Sequence, residues 1–182
     1  MIYKDKDLSK LMRPEGRYTF SPEQILSLKN NTQDRGALKP VGLWYACGDE
    51  WLNWVRSNVK YWSEEWTHLY EVLPTNAILH VSTEDELRAF AARYTTKGGW
   101  GISIEASFRI TGRRRDSFNP DWEKLAEDFP GLEICPHQGG MRYELMWYSV
   151  WDVASGCIWN ERGLDHLKLI ARRVGANAWE GV

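Results

Sequence analysis

The chain has 182 residues, of which 43% are hydrophobic and 26% charged, with a formal net charge of −2 at pH 7. This is the profile of a soluble globular protein of one domain with a real core. It excludes a polybasic protein drawn to polyanions by its overall field, and no apolar run reaches the roughly 20 residues of a membrane helix.

Met1-Ile2-Tyr3-Lys4-Asp5-Lys6-Asp7 is charged and lacks the apolar core of a signal peptide. Residues 1–36 read as a polar lead-in. Within it, Ser21, Pro22 and Gln24 form an N-cap, a first-turn proline and a capping-box partner. They predict a short helix through Ile25, Leu26 and Leu28, ended by Asn30-Asn31. Gly42-Leu43-Trp44-Tyr45-Ala46, launched by Pro40, reads as a strand. Asp49 then caps a helix whose Trp51, Trp54, Val55 and Val59 share one face and are expected in the core. Trp62 and Trp66, four apart, are expected to share that fate.

Two strands follow, Leu69–Leu73 and Ala77–Val81, separated by Pro74-Thr75-Asn76. Ser82-Thr83-Glu84-Asp85-Glu86 starts a helix to about Tyr94 that buries Leu87, Phe90 and Ala91. Lys97 to Asn119 is glycine-bearing and basic, with one strand expected at Trp100–Ala106. Pro120-Asp121-Trp122-Glu123 opens another helix. Gly131–Cys135 reads as a strand closed by Pro136, Glu144–Trp151 as another, and Ile158-Trp159 as a third. Leu164–Val174 is predicted as a terminal helix, with its basic residues towards the C-terminal end. The sum is a single α+β domain with a core over 37–160 and a C-terminal helix and tail over 161–182.

Three stretches carry chemical interest. Trp147 to Trp159 places three tryptophans around Asp152, Ser155, Gly156 and Cys157, in a chain with 11 tryptophans. Aromatic walls around a few polar groups suit a flat, stackable ligand. Asp152 could stabilise an oxocarbenium-like centre or deprotonate an acceptor, and Ser155 could orient a substrate; a turn aspartate is the plain alternative. Cys157 lacks a neighbouring base and reads as a core thiol. In the second stretch, Lys39 offers an amine to a phosphate, and Trp44 and Tyr45 offer rings to a base. An edge strand with a surface lysine is the plain alternative there. In the third, Arg113, Arg114 and Arg115 could grip phosphates beside Trp100, or form a solvated loop.

Cys47, Cys135 and Cys157 make no paired framework and no close-spaced metal motif. The four histidines are dispersed, so no metal is expected. A reducing, cytoplasmic setting follows as the expectation.

The K-P-V-G-L-W-Y text at 39–45 and W-Y-S-V-W-D-V-A-S-G-C-I-W at 147–159 resemble a group of small phage-encoded proteins. The layout from Tyr70 to Gln138 resembles small ADP-ribosyltransferase-type domains, with 70–90 similar to their strand, strand, helix unit. The resemblance implies a mostly antiparallel split β-sandwich with peripheral helices and NAD+ in a central cleft. It implies that Gly42, Leu43 and Trp44 bind NAD+ through backbone groups, with Tyr45 near the nicotinamide; Lys39 and Trp151, read from the residues themselves, are assigned to the same NAD+ site. It further implies transfer of ADP-ribose to a macromolecular acceptor, nucleic acid or protein; the charge of Arg113, Arg114 and Arg115 and the ring of Trp100 would suit the acceptor side. The family's arginine, Ser-Thr-Ser and Glu-x-Glu series is not found here, nor its histidine, tyrosine and glutamate alternative. Asp152, Glu144 or Glu133 would therefore supply the carboxylate. The alternatives are a non-catalytic module for a nucleotide or single-stranded nucleic acid, and a phage-type protein inhibitor of a host enzyme.

Overall fold

A computed structural model of the protein describes residues 1–95 and 119–182. The strand expected at Trp100–Ala106, with Trp100 and the Arg113–Arg115 run, lies outside them. Among the described residues nine strands form one continuous sheet: β1 (Ile2–Lys4), β2 (Arg17–Ser21), β3 (Leu43–Cys47), β4 (His68–Pro74), β5 (Leu79–Val81), β6 (Gly131–Ile134), β7 (Ser155–Ile158), β8 (Leu164–Gly175) and β9 (Ala178–Gly181). Their order is β1-β9-β8-β4-β2-β3-β7-β6-β5. Every pairing is antiparallel except β5 with β6. The α+β class read from the sequence is the class observed. No helix among the described residues is long and apolar enough to cross a membrane.

Three helices, α1 (Glu50–Asn58), α2 (Glu84–Tyr94) and α3 (Trp122–Asp128), form where expected, although Asp49 at the N-cap of α1 makes no side-chain capping bond. The start of α2 is a complete capping box, in which Thr83 accepts from the Glu86 amide and the Glu86 carboxylate accepts from the Thr83 amide. Leu87, Phe90 and Ala91 are buried on the face expected.

Alternation along β3 sends Trp44 and Ala46 to one face of the sheet and Tyr45 and Cys47 to the other. The Trp44 face carries two separate apolar clusters. One gathers α2, α3, Leu132, Ile134 and Trp147 around the β6–β7 end. The other gathers α1, Tyr18, Leu69 and Trp179 around the β2–β4 end. The opposite face carries a smaller cluster of Tyr45, Val72, Ile78 and Ile158.

Several elements differ from what their local sequence predicts. Leu164–Val174 is not a helix but the long strand β8, paired with β4 and β9. Leu164, Leu167, Ile170 and Ala171 have helical spacing because the strand serves both faces. Leu164 and Leu167 join the Val72 cluster, and Ile170 and Ala171 join the Leu69 cluster. The pairing with β4 is irregular between Leu69 and Tyr70, and a slip of one residue turns side chains to the other face. Glu144–Trp151 is not a strand; short 3-10 turns run over Gly139–Tyr143 and Trp147–Val150. Leu145, Tyr148 and Trp151 are three apart, the repeat of a 3-10 helix, and all are buried.

No helix follows Ser21, which ends β2 opposite His68. Its hydroxyl still accepts from the Glu23 amide, but the segment runs on without a helix, with Leu28 packed against the Tyr45 cluster and Leu26 84% exposed. The strands around Pro74-Thr75-Asn76 do not adjoin: β4 lies mid-sheet and β5 at the far edge. Trp51 and Trp54 are only partly buried, stacked on each other at 5.1 Å and 7°. Trp66 is buried against Phe20, whereas Trp62 is 42% exposed.

Candidate functional site

The gap between the two large clusters leaves a cavity of about 290 Å³ on the Trp44 face of the sheet. Its first wall comes from the entry to β3. The Trp44 indole N–H donates to the Pro40 carbonyl at 3.2 Å, and Lys39 Nζ lies 5.4 Å from the centre of the Trp44 ring. Burial lowers the pKa of the Lys39 amine, while the nearby Asp152 carboxylate works the other way.

The second wall comes from the 3-10 turn at Trp147–Val150, which turns Trp151 inward until its ring sits 4.8 Å from that of Trp44. His137 Nε2 donates to the Trp151 carbonyl at 2.7 Å, and Tyr148 stacks between the two rings at 5.4 and 6.2 Å. The loop beyond is pinned to α1, because Glu50 accepts from the Ala154 amide at 2.8 Å. Asp152 sits 3.6 Å from Arg142, and the Ser155 hydroxyl donates to the Val153 carbonyl at 2.9 Å.

Lys39, Trp44, Trp151, Asp152 and Ser155 line this one cavity; Tyr45 borders it as well, but its ring is buried on the opposite face and does not take the place expected for it beside a nicotinamide. Gly42 and Leu43 do not line it. A Cβ on Gly42 would come 2.4 Å from the Ile158 carbonyl oxygen, so this glycine serves the contact between strands rather than the approach of a ligand. Leu43 packs into the cluster on the opposite face. Gly156 likewise gives room to the Tyr45 ring, whose hydroxyl would lie 2.3 Å from an added Cβ. Cys157 is fully buried, and burial pushes its thiol well above the usual range, as a core thiol should behave. Glu144 is paired with Arg88 on the surface, and it does not line the cavity.

Tyr18, Thr19 and Phe20 of β2, Trp51 of α1, Ala46 and Val153 complete the lining. The Y-T-F alternation between Arg17 and Ser21 is the signal that would have found β2. Trp51 was concealed by its helical spacing, which also fits a core residue.

A second polar constellation occupies the opposite face. Arg17 grips Glu133 through two parallel bonds, Nε to Oε2 at 2.8 Å and Nη2 to Oε1 at 2.7 Å. His80 Nδ1 lies 3.3 Å from the same carboxylate. Burial acts to raise the Glu133 carboxyl, but the Arg17 and His80 contacts outweigh it and hold the pKa at about 2. Burial, and then the facing Glu133 carboxylate, push the Tyr45 phenol up, although its hydroxyl makes no well-formed hydrogen bond. Cys47 and Cys135 stand beside this group, their sulfurs and a Glu133 oxygen all within 4.8 Å of one another.

No family model matches this chain, and neither does any curated protein or solved structure.

Proposed function

We propose that the protein is an NAD+-dependent ADP-ribosyltransferase acting on a macromolecular acceptor. One observation carries this reading. The stretches around Lys39–Tyr45 and Trp151–Ser155, more than a hundred residues apart, close on one aromatic cavity that also presents an amine and a carboxylate.

At about 290 Å³ the cavity lies near the lower limit of small-ligand sites. It matches one nucleoside portion of a dinucleotide, with the phosphates leaving past Lys39. Trp44, only partly buried, offers a face for stacking and is backed by the buried Trp151 ring. Trp151 keeps its indole N–H buried without an acceptor, a cost that a ligand oxygen or carbonyl would remove. NAD+ supplies the chemistry: the bond from ribose C1′ to nicotinamide breaks, and the electron pair departs with the neutral nicotinamide. The Asp152 carboxylate stabilises the positive charge growing on the ribose and accepts the proton released by the attacking acceptor. The tryptophan walls exclude water that would otherwise compete with that acceptor.

The experiment is titration of the full chain with NAD+, followed by tryptophan fluorescence and Tm, with nicotinamide release measured in the presence of cellular nucleic acid and protein. A fluorescence change with acceptor-dependent release supports the reading. No response to NAD+ overturns it. The pairing of Asp152 with Arg142 favours one other reading, a nucleotide-binding module without turnover. That reading predicts the fluorescence change without release.

A further inference from the structure

We propose that Cys47, Cys135 and Glu133 form a site for a thiophilic divalent cation of the zinc class. The site lies on the sheet face opposite the nucleotide cavity. None of the three residues lines that cavity, so the proposal stands independently of the NAD+ reading.

The strand ladder brings the ligands together. Ser155 of β7 pairs with Ala46 of β3 on one side and with Ile134 of β6 on the other. Cys47 and Cys135 are each the next residue, flanking Ala154, whose carbonyl accepts from the Cys47 amide at 2.9 Å. Alternation places both thiols on the face that carries Glu133, two residues before Cys135. The three ligand atoms then fall within 4.8 Å of one another.

This geometry favours a metal over a disulfide. With one strand between them, the two cysteine backbones are about 9–10 Å apart, twice the strand spacing of roughly 4.8 Å. A disulfide requires Cα atoms about 4.4–6.8 Å apart, so closure would demand that β3 and β6 move together across β7. A single zinc ion with bonds of about 2.3 Å instead holds two sulfurs somewhat under 4 Å apart, with no movement of the strands.

The charges also balance. Two thiolates and one carboxylate carry three negative charges, Arg17 one positive charge, and a divalent cation the remaining two. Arg17 uses one acceptor position on each Glu133 oxygen and His80 lies against Oε1 at 3.3 Å, which leaves a lone pair on Oε2 for a metal. It also fixes the carboxylate's orientation, as outer-shell partners of metal ligands do. Cys135 is only half-buried and marks the way in, while Cys47 and Glu133 are buried. Three protein ligands leave a fourth tetrahedral position for water or a substrate atom.

The test uses the full chain, reduced and freed of metal, and titrated with Co2+ as a spectroscopic stand-in and with Zn2+ against a chromogenic chelator. A thiolate-to-cobalt charge-transfer band saturating at one equivalent is expected. Cys47→Ser and Cys135→Ser should each abolish the band and weaken Zn2+ binding by roughly a hundredfold or more. Cys157→Ala should keep both signals. In case a variant fails to fold, the unsubstituted protein gives a second readout, in which Zn2+ protects Cys47 and Cys135 from alkylation mapped by mass spectrometry. Absence of the band together with absence of protection overturns the proposal. So does a band retained in both folded serine variants, or a Cys47–Cys135 disulfide formed under mild oxidation in a protein that ignores Zn2+.

Discussion

Arg17 and Glu133 come from strands separated by β3 and β7 in the sheet, yet they meet through two charge-assisted bonds at 2.8 and 2.7 Å. The pair reaches over the sheet face between them, with Glu133 buried and Arg17 about a third exposed. Such a pair is costly to break from one side, because the remaining charge stays out of water. Arg17→Met should therefore destabilise the metal-free protein by about 3 kcal/mol, the lower end of the usual range given the exposure of Arg17. Urea denaturation measures this, and Arg17→Met with Glu133→Gln should recover much of the loss.

The same pair sets an acid limit. Glu133 titrates at about 2 in the folded protein against an ordinary 4.5. Its folded pKa is depressed, so its contribution to stability is full above about pH 4.5 and is lost as pH falls from there towards 2. The metal-free protein should lose urea midpoint steeply across that window. Glu133→Gln should flatten that part of the profile, and an unchanged slope would show that Arg17 does not hold the carboxylate.

Glycine substitutions should separate backbone contacts from open space. Gly42→Ala drives a Cβ to 2.4 Å from the Ile158 carbonyl oxygen, a backbone atom in the sheet. Gly156→Ala meets the Tyr45 hydroxyl at 2.3 Å and the Leu132 carbonyl at 2.9 Å. Each should cost about 1–3 kcal/mol or more as overpacking. Gly36→Ala meets only Asp34 at 3.6 Å and should be near neutral. Thermal melts of the three variants give the order directly.

If the cavity takes NAD+, its walls should divide binding from turnover. Trp44→Ala removes a stacking face and Lys39→Ala the amine, and each should raise Kd for NAD+ by about tenfold, or 1.4 kcal/mol. Asp152→Asn should leave Kd within a few-fold and lower nicotinamide release by about 10²- to 10⁴-fold, the span of a general base. Equal loss of binding and turnover in Asp152→Asn would assign that residue to binding alone.

The 151–155 wall depends on one contact from α1, the Glu50 carboxylate accepting from the Ala154 amide at 2.8 Å. Glu50→Ala should cost about 1.5 kcal/mol of stability, the lower end for a lost hydrogen bond to a charged acceptor. It should also weaken NAD+ binding without touching any ring in the cavity. Calorimetry on the folded variant checks both effects.

Features complete within a few residues were legible in the sequence. The Thr83–Glu86 capping box, the apolar face of α2, the aromatic β3 and the core thiol Cys157 are of this kind, because their partners lie a few positions away or their burial follows from residue type. The Lys39–Tyr45 and Trp151–Ser155 stretches could each be marked as chemical text for the same reason. Whether they faced one another depended on the ladder β3-β7, which no local pattern encodes. Tertiary pairing also made Leu164–Val174 a strand, since the partners β4 and β9 and a bulge outweigh the weak helical preference of those side chains. It set Cys47 and Cys135 on either side of Ala154, and it placed Arg17 against Glu133. Helix caps are satisfied within one turn of chain, whereas strands are satisfied only by other strands. The sheet order that builds both sites was therefore decided by the folded structure alone.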